Sequence, residues 1–102
     1  MQLLLFRHAT AEDHGIRADY DRELIPKGLI QADRAIAFCQ LHEIKPSIVL
    51  TSPVTRARQT AERFCRGMEI EPPSECAWLG LGANPFAMVE ELCAFREFGS
   101  VM

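Results

Sequence analysis

Two strings constrain this chain more than anything else in it: Leu3-Leu4-Leu5-Phe6-Arg7-His8, and Ile48-Val49-Leu50-Thr51-Ser52-Pro53 continuing to Arg56 and Thr60. Each begins with a continuous apolar run rather than an alternating one. That pattern fits a strand buried on both faces, as in parallel sheets covered by helices. In open α/β folds the ligand sits beyond the carboxyl ends of the strands. Arg7-His8 falls at that edge after the first run, and Arg56 falls in the first turn of the helix that follows the second. The spacing therefore predicts a phosphate site with a histidine nucleophile.

The rest of the pattern agrees with an α/β domain. Residues 2–6 read as a buried strand, and residues 9–24 as a long loop over its end, of a length that often carries function. Pro26 suits a first helical position, and Leu29, Ala32, Ile36 and Cys39 give the helix a core face as far as about Leu41. Ile48-Val49-Leu50 is a second buried strand. Ser52-Pro53 reads as a cap and a start for a helix reaching Phe64 or Arg66, with Gly67 at its end. Pro72-Pro73 breaks the chain, and Cys76-Ala77-Trp78-Leu79 reads as a third short strand. Asn84-Pro85 opens another helix, with Phe86, Val89, Leu92 and Cys93 on one face and Gly99 as its stop. Ser100-Val101-Met102 has the look of a further strand.

With 102 residues, 48% of them apolar and 25% charged, the chain has the composition of a single globular domain rather than a disordered segment. No apolar run is long enough for a membrane span, and the amino terminus lacks the basic and apolar regions of an export signal, so the expected location is the cytoplasm. A net charge of −3 gives no general attraction to nucleic acid or anionic lipid, and any anion site must be local. Cys39, Cys65, Cys76 and Cys93 form no CxxC pair, which speaks for buried free thiols rather than a metal or redox centre. No metal and no cofactor is expected.

A phosphoryl dianion calls for cations with several directed donors, and a guanidinium matches two phosphate oxygens at once. Arg7 and Arg56 are the candidates, Arg56 with added help from helix N-terminal amides. His8 can attack phosphorus if its ring is neutral and its other nitrogen is held. Taken singly, each motif has a plainer explanation. Arg7 or His8 could cap a strand end or pair with Glu12 or Asp13, and Arg56, Arg58, Arg63 and Arg66 could line a solvated helix face. Together, each after an apolar strand, they point to phosphate. His42 reads as an exposed helix end.

At these residues the chain resembles the histidine phosphatase superfamily, and within it the small SixA-type phosphohistidine phosphatases. The resemblance rests on Leu5-Phe6-Arg7-His8-Ala9-Thr10-Ala11, on Asp21-Arg22-Glu23-Leu24 through Gly28, on Ser52-Pro53 through Thr60, and on Leu81-Gly82-Ala83-Asn84-Pro85. It covers essentially the whole chain, residues 1–102 as one domain. It implies a three-layer α/β/α, phosphoglycerate mutase-like fold with a mainly parallel sheet. By the same resemblance His8 is the phosphorylated nucleophile, and Arg7, Arg22 and Arg56 hold phosphate. The implied reaction is hydrolysis of phosphohistidine on a partner protein, such as a phosphotransfer domain. A general phosphomonoesterase and a non-catalytic phosphate-binding module are the alternatives.

Departures from the family pattern add detail. Ala11 stands where mutase-like members carry Ser or Thr, and no acid-bearing insert is present, which favours the small phosphatase branch. An imidazole leaving group with a pKa of about 6.5 can arrive protonated, so an enzymic acid is not required. Glu12, Asp13 and His14 are the loop candidates for proton handling. Ile25 replaces a usual capping residue and leaves the next helix without a side-chain cap. The family's second histidine follows a central fourth strand, and the sequence ends at Met102, before it. A sheet incomplete at its carboxyl end is the expectation, with impaired activity and with dimerisation, strand exchange or direct closure of the first two strands.

Overall fold

The sheet is parallel throughout its strands, and its order places the last strand in the middle. The computed structural model describes residues 2–102. In it β1 (Gln2–Leu3), α1 (Pro26–Leu41), β2 (Leu50–Thr51), α2 (Thr55–Met68), β3 (Ser74–Glu75), α3 (Pro85–Leu92) and β4 (Ser100–Val101) follow in order. Strand β1 pairs with β4, β2 pairs with β3, and a parallel bridge from Ile48 to Val101 joins the two pairs. The resulting order is β1-β4-β2-β3. Strand β4 holds β1 and β2 apart, so the direct closure of the first two strands is not what the chain does.

The first strand is shorter than its apolar run predicts. Ladder pairing ends at Leu4, whose N–H donates to the Val101 carbonyl at 2.7 Å. Leu5, expected to be buried, is 90% exposed, and Leu3 and Phe6 are partly exposed. On the other side Leu50 N–H donates to the Met102 carbonyl at 2.7 Å. Past these bonds β1 and β2 border a cavity of about 350 Å³ lined by Leu5, Phe6, Leu50, Phe64, Met88 and Leu92, among others.

Helix α1 runs as expected from Pro26 to Leu41, and its N-cap Ile25 makes no side-chain cap bond. Helix α2 begins at Thr55, two residues later than the Ser52-Pro53 start implies, although Ser52 Oγ does accept from the Val54 amide. It continues through Gly67 to Met68, and Glu69 takes the left-handed conformation that ends it. Gly67 serves packing instead: a Cβ there would come within 2.5 Å of Ile36 Cδ1, so the missing side chain lets α2 lie against α1. Between the two helices and the sheet sit Ile36, Cys39, Val49, Phe64 and Cys65, the core of the domain.

Two expectations in the last third are corrected. Strand β3 is Ser74–Glu75, and Ala77–Leu79 is a 3-10 turn, because pairing to β2 ends where Cys76 N–H reaches the Thr51 carbonyl. Asn84 caps α3 by accepting from the Phe86 and Ala87 amides, but Phe86, Val89 and Cys93 face solvent, and the helix stops at Leu92, well before Gly99. Its inner residues are Met88 and Leu92. No helix among the described residues is long and apolar enough to cross a membrane.

Cys39, Cys65 and Cys76 are buried and Cys93 is exposed. Burial pushes the Cys65 thiol up to about 11, leaving it protonated near neutral pH. Ellman's reagent should therefore react quickly with one thiol of the native protein and with the other three only on unfolding. Rapid reaction of several thiols would contradict this packing. A second expectation concerns Gly28. Ala for Gly in a helix ordinarily adds about 0.5–1 kcal/mol, but a Cβ at Gly28 would overlap the Thr10 carbonyl oxygen. Gly28→Ala should instead lose about 1–3 kcal/mol, seen as a lower urea midpoint.

Candidate functional site

The site begins where β1 gives way to the loop, and one hydroxyl locks that point to α2. Ala9 is buried, and its N–H donates to Thr60 Oγ1 at 3.1 Å, while Thr60 Oγ1 donates to the Arg56 carbonyl one turn back at 2.8 Å. The strand end and the first turns of α2 thus share a fixed relation. His8 projects from it toward Arg56.

The ring of His8 is oriented by its own neighbour. Its Nδ1 lies 2.8 Å from the Ala9 carbonyl oxygen, which can only accept, so Nδ1 carries the proton. Nε2 is left with a free lone pair. Arg56 Nε donates to that nitrogen at 3.4 Å, a contact open only to an unprotonated Nε2. The arrangement sets an imidazole nitrogen beside a guanidinium.

Arg56 is only 9% exposed. Its Nη1 donates to the Asp19 main-chain oxygen at 2.7 Å, and its Nη2 lies 3.5 Å from Asp19 Oδ2. Arg22 reaches the same carboxylate, its Nε donating to Asp19 Oδ1 at 3.0 Å, and its Nη1 donates to the Glu12 carbonyl at 2.7 Å. His8, Arg22 and Arg56 therefore converge, as the sequence suggests. Arg7 leaves the same strand end more exposed, lines the cavity beside His8, and forms no ion pair among the described residues. The helix-face explanation holds for other arginines: Arg58 meets Glu62 and Glu75, and Arg63 meets Asp33.

Sequence reasoning did not single out Asp19. It carries no motif signal, lying in a charged loop among four other acids between residues 12 and 23, and only the fold brings it to the arginines. Of the three loop residues put forward for proton handling, Glu12 is engaged elsewhere. The Glu23 amide and the Arg17 guanidinium hold its carboxyl below the usual range, which keeps it ionised and without a proton to donate. His14 is exposed and lies 3.6 Å from Asp19 Oδ1. Asp13 has no side-chain contact to the cluster among the described residues. Likewise, no group of three or more potential metal-binding side chains occurs among them.

The loop that carries Asp19 and Arg22 is pinned rather than loose. Ala11 and Leu24 form an antiparallel bridge, and Leu24 N–H donates to Gln59 Oε1 at 2.8 Å. Thr10 N–H and Oγ1 both donate to Gln31 Oε1, at 2.8 and 2.9 Å. Gln31 and Gln59 are supports that no sequence signal marked individually.

A family description, the histidine phosphatase superfamily (branch 1), matches residues 3–78. The chain belongs to this superfamily. Two uncharacterised proteins of Mycobacterium tuberculosis, from strains CDC 1551 and H37Rv, are each 37% identical over 87 residues, covering 84% of this chain and 52% of the relative. Among solved structures, the putative phosphohistidine phosphatase SixA of Agrobacterium tumefaciens matches with TM-score 0.82 and 26% identity over 98% of this chain and 64% of that one. A protein histidine phosphatase SixA complexed with tungstate matches with TM-score 0.89 and 23% identity, over 99% and 66%. The fold of this superfamily member is therefore the α/β, phosphoglycerate mutase-like fold of the SixA proteins. The chain spans about half the length of its curated relatives and about two thirds of these solved neighbours.

Thr60→Val keeps the shape of the side chain while removing the acceptor of the buried Ala9 amide. The variant should lose about 1–3 kcal/mol, read from urea unfolding. An unchanged midpoint would show that the Ala9 amide finds another partner.

Proposed function

We propose that this chain supplies the phosphoryl-transfer centre of a phosphohistidine phosphatase, acting on a phosphorylated histidine of a partner protein through a phospho-His8 intermediate. The observation that carries the reading is His8 Nε2 held 3.4 Å from Arg56 Nε. A nucleophile and a phosphate-binding cation are in contact before any substrate arrives, which is the positioning that phosphoryl transfer depends on.

In this reading the substrate phosphoryl group seats on the Nε and Nη2 edge of Arg56, the edge a guanidinium offers to two oxygens. Arg7 and Arg22 add charge, Arg7 being free to swing in from its exposed position. The lone pair of His8 Nε2 forms a bond to phosphorus as the bond to the substrate imidazole breaks. Nδ1–H remains on the Ala9 carbonyl and stabilises the phosphorylated ring. Water then attacks phosphorus and releases phosphate. Turnover by these 102 residues alone should be slow, because the cavity beside His8 admits solvent where electrostatic stabilisation is strongest in a dry site.

The match to a tungstate-bound relative supports an oxyanion site of this fold, and a Glu12 carboxyl held ionised, with no proton to give, favours a leaving group that needs none from the protein. The test is single-turnover labelling with ³²P-phosphoramidate, followed by checking for acid-labile, alkali-stable radioactivity. The parent protein should take up label, His8→Ala should take up none, and Arg56→Ala should label about 10²–10³-fold more slowly. Label persisting in His8→Ala would sink the proposal.

A further inference from the structure

We infer that Gln31 is a positioning residue for His8, acting on the imidazole through the single peptide unit that joins Ala9 to Thr10. This rests on the proposed role of His8 and deepens it. The two ends of that peptide unit carry the inference. Its oxygen, the Ala9 carbonyl, accepts from His8 Nδ1 at 2.8 Å, and its N–H, on Thr10, donates to Gln31 Oε1, also at 2.8 Å. One planar group therefore stands between the ring of His8 and a side chain of α1.

A peptide unit is rigid, so whatever fixes the direction of its N–H also fixes the line along which its carbonyl meets the ring. Gln31 does the fixing. An N–H needs an acceptor, so the oxygen and not the nitrogen of the Gln31 amide faces Thr10. The same oxygen takes a second bond, from Thr10 Oγ1 at 2.9 Å. Beyond it the Thr10 carbonyl accepts from the Ile25 amide at 3.2 Å and lies so close to Gly28 that a Cβ there would overlap it. Thr10 is thus held along α1 on both sides. Gln59 supports the same loop, but at the Leu24 amide, which belongs to no peptide unit that touches His8.

A peptide unit is also polar, and hydrogen bonds in a chain polarise one another. The bond that Gln31 accepts from Thr10 N–H shifts electron density in the amide toward the Ala9 oxygen and makes it a better acceptor. Demand on that oxygen rises during transfer. The Nε2 lone pair forms a bond to phosphorus, while the electron pair of the breaking bond leaves with the donor group. The ring then carries positive charge, and Nδ1–H becomes a charge-assisted donor to the Ala9 carbonyl. No proton moves along this relay. Gln31 and the peptide unit keep the proton on Nδ1, and Nε2 remains the nitrogen that faces Arg56 at 3.4 Å.

The test reads the ring directly, by ¹⁵N NMR at a pH above the ordinary imidazole range. The His8 signals are those that His8→Ala removes, and the parent should show the Nδ1–H tautomer. Gln31→Met keeps the length of the side chain and removes its oxygen. It should raise the ratio of Nε2–H to Nδ1–H tautomer at least about threefold and slow labelling by ³²P-phosphoramidate about 10-fold. Gln31→Glu puts an oxygen back and should hold the parent's tautomer. Gln59→Met removes the other support of the loop and should leave the ring as it is in the parent.

A parent ring in the Nε2–H form overturns the inference at once, and so does a Gln31→Met protein with the parent's tautomer. An equal shift in Gln59→Met also overturns it, since that would show a loosened loop rather than a relay. A shifted ring that labels at the parent's rate does the same, because the setting of His8 would then not matter to transfer. Should Gln31→Met fail to fold, Gln31→Glu decides: a folded protein that keeps the tautomer supports the role, and one that loses it ends the role. Label that persists in His8→Ala is a different failure, that of the phosphoryl reading, and takes the inference with it. A ring that ignores Gln31 while His8→Ala loses its label removes the inference alone.

Discussion

A single buried hydroxyl holds the arrangement together. Thr60 Oγ1 accepts from the Ala9 amide and donates to the Arg56 carbonyl, so the tip of the first strand and the first turn of α2 are bonded to the same atom. Everything at the site inherits its position from this junction. The Ala9 carbonyl that orients the His8 ring belongs to one residue of the pair, and the backbone that carries the Arg56 guanidinium belongs to the other. Directed contacts of this kind matter because misplacing a reacting group by about 1 Å can cost as much as 10²-fold in rate.

The second determinant is electrostatic. Three arginines with one carboxylate among them leave a local excess of positive charge in a chain whose overall charge is −3. Isolated guanidiniums held side by side repel one another, and Asp19 offsets that repulsion by bridging two of them. Arg7, with no such partner among the described residues, is the cation most available to an incoming anion. Attraction at this site is therefore a property of a few side chains and does not extend over the surface.

Much of this was legible in the sequence, for identifiable reasons. Pro26 and the period of Ala32, Ile36 and Cys39 marked α1 because a helix with one buried face leaves a regular trace. Arg7, His8 and Arg56 could be paired because each follows an apolar strand, and a parallel sheet brings such strand ends together. What failed depended on tertiary context. The apolar run 3–6 could not show that its pairing would end at Leu4, nor could Gly67 show that its role is to admit Ile36. Phe86 and Val89 share a helical face with Leu92, yet the period does not say which neighbour covers that face, and here solvent does. Asp19 stayed hidden because nothing local distinguishes it from the other acids of its loop. Its significance comes from two arginines, one of them 37 residues away.

The manner in which Arg56 is held has a bearing on how such a centre can change. Its Nη1 grips the main-chain oxygen of residue 19, and its Nε reaches the imidazole, so two of its anchors do not depend on which side chain stands at that loop position. Substitution there would remove a negative charge from the cluster while those two anchors remain. Aim and local charge are thereby carried by different atoms of one residue, the main-chain oxygen and the carboxylate.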